Sequence, residues 1–100
     1  MKTKEQLVSL GLTDTKAEEV MMLESAMMER AMKFQFRKKD GSLRDAEGTL
    51  VREKMVRPDG SIWTPTGPEK PAPAMFVRFW DLIAEDWRQF NVLNLVSVEG

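Results

Sequence analysis

One hundred residues with 42% hydrophobic content, in apolar runs that stay short, suit one soluble domain near the lower end of independent folding size. Zero cysteines exclude disulfides, thiolate nucleophiles and sulfur-bound metals, and zero histidines remove the commonest general base and the commonest zinc ligand. The net charge of −1 hides an uneven distribution: residues 1–29 carry −3, residues 30–44 carry +5, and the remainder carries −3. A basic segment on an otherwise acidic chain is a candidate anion-facing patch, and equally an ordinary solvated surface.

The N-terminal "MKTKEQLVSL" has no apolar stretch behind it, so neither a signal peptide nor a membrane span is expected, and the expected place of work is the cytoplasm. Thr3 with Gln6, and Thr15 with Glu18, have capping-box spacing and predict two helices, Lys4 to Leu10 and Lys16 to Ala31. Gly11 is placed to close the first in the left-handed conformation. The second carries an apolar stripe that includes Val20, Met21, Leu23, Met27 and Met28, set against glutamates. Such a Met-rich stripe is a candidate interaction helix, for a protein partner or a second copy, because unbranched thioethers repack cheaply around different shapes. It serves equally as the inner face of the chain's own core.

At Met32 the period changes from 3.6 to 2. Met32, Phe34 and Phe36 alternate with Lys33, Gln35 and Arg37, which predicts a strand with one buried and one wet face over Met32 to Lys39. Asp40-Gly41 suits a type I′ turn returning the chain as a second strand, Ser42 to Leu50. Gly48 inside that strand marks a bend or a close backbone approach.

Residues 52–74 hold all five prolines and predict a long loop, with a small hairpin around Pro58-Asp59-Gly60 and an extended, mobile "TPTGPEKPAPA". "KDGSL" and "PDGSI" share turn chemistry only. Beyond the loop, "MFVRFWDL", "DWRQF" and "NLVSV" read as three short strands, with a single 3₁₀ turn at Asn91 to Asn94. The pattern predicts an α+β fold: an N-terminal helical extension, residues 1–31, then a small SH3-like or Sm-like five-stranded antiparallel barrel, residues 32–100.

"FQFRKKDGSLRDAEGTL", followed after a variable loop by "FWDL", "DWRQF" and "NLVSV", resembles a family of WYL-like Sm/SH3 barrels from gut Bacteroidales and their phages. The resemblance runs from about Met32 to Val98 and leaves the helices outside. It implies a barrel that senses ligands, often nucleotides or nucleic acid, and regulates an attached domain. Two departures stand out: Trp80-Asp81-Leu82 occupies the place of the Trp-Tyr-Leu triplet, and Asn91 and Asn94 replace the arginines expected after the final Phe. Arg88 and Arg78 are left to take part of that anion-binding role.

These observations lead to a non-catalytic binding module, possible partners being a nucleic acid or nucleotide, or else a protein or a second copy. The expected anion footprint is Lys33, Arg37, Lys38, Lys39 and Arg44 with Arg88, and Trp87 or Trp63 offers a stacking face for a base. No cofactor and no metal are expected. Asp45 with Glu47, or Asp81 with Asp86, can be read as paired carboxylates, but neither pair has a base or metal motif beside it, so no enzyme is expected.

Overall fold

A computed structural model of the chain describes residues 2–65 and 73–99. Helix α1 (Lys4–Ser9) opens with the expected capping box: the Thr3 hydroxyl accepts from the Gln6 N–H at 3.2 Å, and the Gln6 side chain accepts from the Thr3 N–H at 3.0 Å. Gly11, at φ +110°, turns the chain out of it. Helix α2 (Asp14–Met27) starts two residues earlier than its spacing predicted, because Thr13, not Thr15, caps it by accepting from the Lys16 N–H.

Helix α2 also stops at Met27, short of Ala31, for a tertiary reason. Its last carbonyls are taken by the end of strand β2 (Leu43–Thr49): the Leu50 N–H donates to the Met27 carbonyl at 2.8 Å. The buried Thr49 hydroxyl lies 3.3 Å from the carbonyl oxygens of both Met27 and Arg30, and accepts from the Val51 N–H at 3.0 Å. A helix end that would otherwise bury orphan carbonyls is thereby satisfied by the sheet.

Strand β1 (Met32–Arg37) pairs antiparallel with β2 from Met32↔Gly48 to Arg37↔Leu43, and with β5 (Leu95–Glu99) across its other edge, with a register shift between Gln35 and Phe36. Strand β3 (Phe76–Asp81) joins β2 only at Gly48↔Asp81 and Thr49↔Trp80, then pairs along its whole length with β4 (Asp86–Asn91). The order is β4-β3-β2-β1-β5, and the one-turn 3₁₀ helix Val92–Asn94 connects the two edge strands. No backbone pairing joins β4 to β5 among the described residues, so the fully hydrogen-bonded closure expected for a barrel is not made.

The sheet is nonetheless strongly curled. In a flat sheet three strand spacings, about 14 Å, separate β1 from β4. Yet Phe36 and Phe90 stack with ring centroids 4.8 Å apart, 11° from parallel. Phe34 meets Phe79 edge-on at 5.0 Å, so the inward aromatics of β1, β3 and β4 form one cluster. Gly48 makes the curl possible: a Cβ there would stand 2.5 Å from Cδ2 of Phe79 and 3.1 Å from Cε1 of Phe34.

The helices share that core. Leu7, Ala17, Val20, Leu23 and Met27 are buried in the same cluster as Phe34 and Phe79, and Met21 packs against it. This corrects the candidate interaction helix: Val20, Leu23 and Met27 are spent inside the chain, since the curled sheet leaves one side of its aromatic cluster for α2 to cover. Only Met28, 59% exposed, points to solvent from the end of the stripe.

A second, smaller apolar layer lies on the opposite face of β3 and β4. Trp63, Trp80 and Trp87 meet one another with centroids 5.2 to 6.4 Å apart, and Arg78 places its guanidinium 4.9 Å from the Trp87 ring centre. The loop delivers Trp63 through the expected small hairpin, with a Val56↔Ile62 bridge and a Trp63 N–H bond to the Met55 carbonyl. A 3₁₀ turn, Arg52–Lys54, precedes it. Most of the stretch expected to be extended and mobile, residues 66–72, lies outside the described residues.

Candidate functional site

The tip of the β1–β2 hairpin is built differently from the predicted type I′ turn. Lys38 donates its N–H to the Ser42 carbonyl, Gly41 donates to the Lys38 carbonyl, and Gly41 alone takes a positive φ, +88°. Asp40 therefore keeps a negative φ in a three-residue loop whose last residue is the left-handed glycine. Its carboxylate accepts from both the Ser42 N–H, at 2.9 Å, and the Ser42 hydroxyl, at 2.6 Å. The Ser42 hydroxyl, then its N–H, hold the Asp40 carboxyl below the ordinary carboxylate value, with nearby Lys38 acting in the same direction. Asp59, Gly60 and Ser61 repeat the construction bond for bond, so the short echo in the sequence is one turn used twice.

The candidate cations do not assemble into one patch. Arg37 donates to the Gly41 carbonyl at 2.7 Å and braces the loop. Arg44 lies on the inner side of β2 and pairs with Asp81, 2.9 Å away, so it serves the fold. Asp81 is wholly buried; its other oxygen accepts from the Ile83 and Ala84 N–H groups and holds the β3–β4 turn. The acid in the middle of the Trp-Asp-Leu triplet is thus the inner partner of Arg44. Arg88 sits on β4, separated from the hairpin by β3 in the sheet.

Trp87 is also reassigned. One side of its ring is occupied by Arg78 and its contacts with Trp63 and Trp80 are edge-on, so it packs within the cluster instead of offering a stacking face. Trp63 is committed to the same packing. The indole nitrogens of Trp80 and Trp87 are enclosed with no acceptor among the described residues, so ring packing holds this layer. Asn91, standing where the resemblance places an arginine, accepts from the Leu93 N–H and starts the 3₁₀ corner.

Lys38 and Lys39 remain exposed at the tip with no side-chain hydrogen bond or ion pair among the described residues. Lys33, lower on the same strand, has Glu47 as its β2 partner and Glu99 as its β5 partner. With Gln35, Asp45 and Ser97 these side chains line a groove of about 530 Å³ across the outer face of β2, β1 and β5, and Ile83 forms one margin. Gln35 donates to Asp45 across its floor at 3.0 Å. The sequence pointed to the basic half of this face and missed the acidic half, because Asp45, Glu47 and Glu99 belong to other segments of the chain. Cross-strand register brings them beside Lys33. Among the described residues no group of three or more Asp or Glu side chains is placed to hold a metal ion.

A family model described as WYL_2, Sm-like SH3 beta-barrel fold, matches residues 20–96. The chain belongs to the WYL_2 family. The match begins within α2 and not at β1, in keeping with a helix whose end is capped by the sheet and whose apolar face completes the core of this WYL_2 chain. It bears out the α+β architecture and the Sm-like resemblance. No curated protein and no solved structure matches the chain.

Proposed function

We propose that this WYL_2 chain is a non-catalytic binding module whose working surface is the outer face of β1, β2 and β5, and that this surface receives a protein partner. The observation that carries the reading is the groove itself. It is open, it carries both signs of charge on side chains that alternate with the core, and the strands beneath it are fixed by the phenylalanine cluster. Outer-face side chains of a rigid sheet can meet a partner without cost to the core. Of the acids that were candidates for chemistry, one in each pair is otherwise engaged: Asp81 in its ion pair, Asp45 in its bond to Gln35.

Nucleic acid is the second reading. It rests on Lys38 and Lys39, exposed side by side beside Arg37 at the tip of the hairpin. A phosphate backbone crossing the tip would meet three cations and then, lower on the same face, three carboxylates that repel it. The sign reversal favours a protein partner. A regulatory role and the association with Bacteroidales and their phages belong to the proposal through the resemblance, and a cytoplasmic setting through the N-terminal sequence.

The test is affinity capture from the native host with the wild-type chain and a Glu47→Lys variant, each with and without nuclease. Nuclease-resistant capture that is lost in the variant supports the protein reading. Capture abolished by nuclease moves the function to nucleic acid, and capture equal in both chains overturns the assignment of the surface.

A further inference from the structure

Charge is divided lengthwise along the hairpin and its β5 neighbour. The tip carries Arg37 on the outer face, with exposed Lys38 and Lys39 at the turn beyond it, against Asp40; the base carries Asp45, Glu47 and Glu99 against Lys33, so the two ends bear +2 and −2. Lys33 and Arg37 point the same way four residues apart, which separates the ends by about 13 Å along the strand. Each end also has one exposed apolar side chain: Leu43, 50% exposed, opposite Arg37 at the tip, and Ile83, 66% exposed, at the margin of the groove.

From this we infer that the partner of the groove is a second copy of this chain, docked face to face about a two-fold axis perpendicular to the hairpin. The inference rests on the protein-binding reading above and names its occupant. A two-fold operation lays the tip of each copy over the base of the other. Both contacts then join opposite charges, and Leu43 of each copy approaches Ile83 of its mate. Parallel stacking of the same faces sets tip on tip and base on base, with like charges opposed twice, so the charge pattern selects one orientation. This interface is distinct from the methionine stripe, which α2 buries in its own core.

The symmetry provides a decisive test by sedimentation equilibrium on the full chain. The wild type is expected to show a monomer–dimer equilibrium that weakens as salt rises. One variant, Lys38→Glu with Lys39→Glu, makes both ends acidic. A second, Glu47→Lys with Glu99→Lys, makes both ends basic. Each alone is expected to be monomeric, at least tenfold weaker in self-association than the wild type, whereas an equimolar mixture forms a heterodimer because both of its contacts are again complementary. None of the four substitutions falls on a buried side chain, and unchanged circular dichroism confirms that each variant folds.

A wild type that stays monomeric at millimolar concentration and low salt overturns self-pairing, as does a mixture of variants that fails to associate. Either result leaves the broader protein-binding reading standing, since that reading is decided by capture with Glu47→Lys. A wild-type dimer unaffected by either double variant places the dimer interface elsewhere and also overturns the inference.

Discussion

Arg44 on β2 and Asp81 at the end of β3 stand 37 residues apart in sequence, and 2.9 Å separates the guanidinium nitrogen of one from the carboxylate oxygen of the other. The acid is fully enclosed, while the Arg44 side chain keeps 26% of its exposure. The same carboxylate accepts two N–H groups of the β3–β4 turn. Removing one partner of such a pair costs more than the pair contributes, because the remaining charge stays buried.

Asp81→Ala is therefore expected to destabilise the chain by about 3 kcal/mol or more, lowering Tm by more than about 10 °C for a domain of this size. Arg44→Met should cost nearly as much. Arg44→Lys should recover part of the loss, and Asp81→Asn should keep the turn while losing the ion pair. Thermal denaturation of the four variants checks the order; equal stabilities would show that the pair does nothing for the fold.

Gly48→Ala tests the curl. The added methyl meets Phe79 at 2.5 Å in a strand whose neighbours are packed rings, so overpacking of about 1–3 kcal/mol is expected. Combining it with Phe79→Leu should relieve much of that cost, since the clashing atom belongs to the ring. A double-mutant cycle by urea unfolding measures the coupling, and additive effects would contradict the close approach.

The two Asp-Gly-Ser turns have a pH signature. Asp40 and Asp59 are held below the ordinary carboxylate value, first by the hydroxyl and then by the N–H of the following serine. A carboxyl whose folded pKa is depressed contributes stability above its unfolded value and loses it as pH falls through the lowered one. Both turns should therefore be intact at neutral pH and loosen only below the ordinary carboxylate range. In a carboxyl NMR titration, Ser42→Ala is expected to return Asp40 toward its ordinary value and leave Asp59 where it was. An unmoved Asp40 would refute the hydroxyl as the main cause.

Local chemistry was readable in the sequence wherever a short stretch decides the outcome. Thr3 with Gln6 specified a capping box, the alternation from Met32 to Arg37 specified a strand with one wet face, and Gly48 announced a close contact. What stayed hidden depends on neighbours brought together by register. Thr15 has the better spacing on paper, with Glu18 three residues on, yet Thr13 is the cap, and Leu12 just before it is buried in the same cluster as Ala17 of α2. Asp40-Gly41 is compatible with two turn types, and Ser42 settles the choice by its bonds to Asp40.

The candidate site shows the same division. Counting charge along the chain assigned residues 30–44 a strong positive sign, yet two of those cations face carboxylates contributed from elsewhere: Lys33 between Glu47 and Glu99, and Arg44 on Asp81. Linear charge is a poor guide to a sheet surface, because antiparallel pairing sets residues side by side that a running sum keeps apart.

Hydrogen–deuterium exchange on the full chain, free and in the complex it forms, tests most directly whether the outer hairpin face is the working surface. Added protection is expected over Lys33 to Glu47 and at Ser97 to Glu99, with the Trp63, Trp80 and Trp87 layer unchanged. Protection confined to α2 or to β4, with the hairpin exchanging as it does in the free chain, would contradict it.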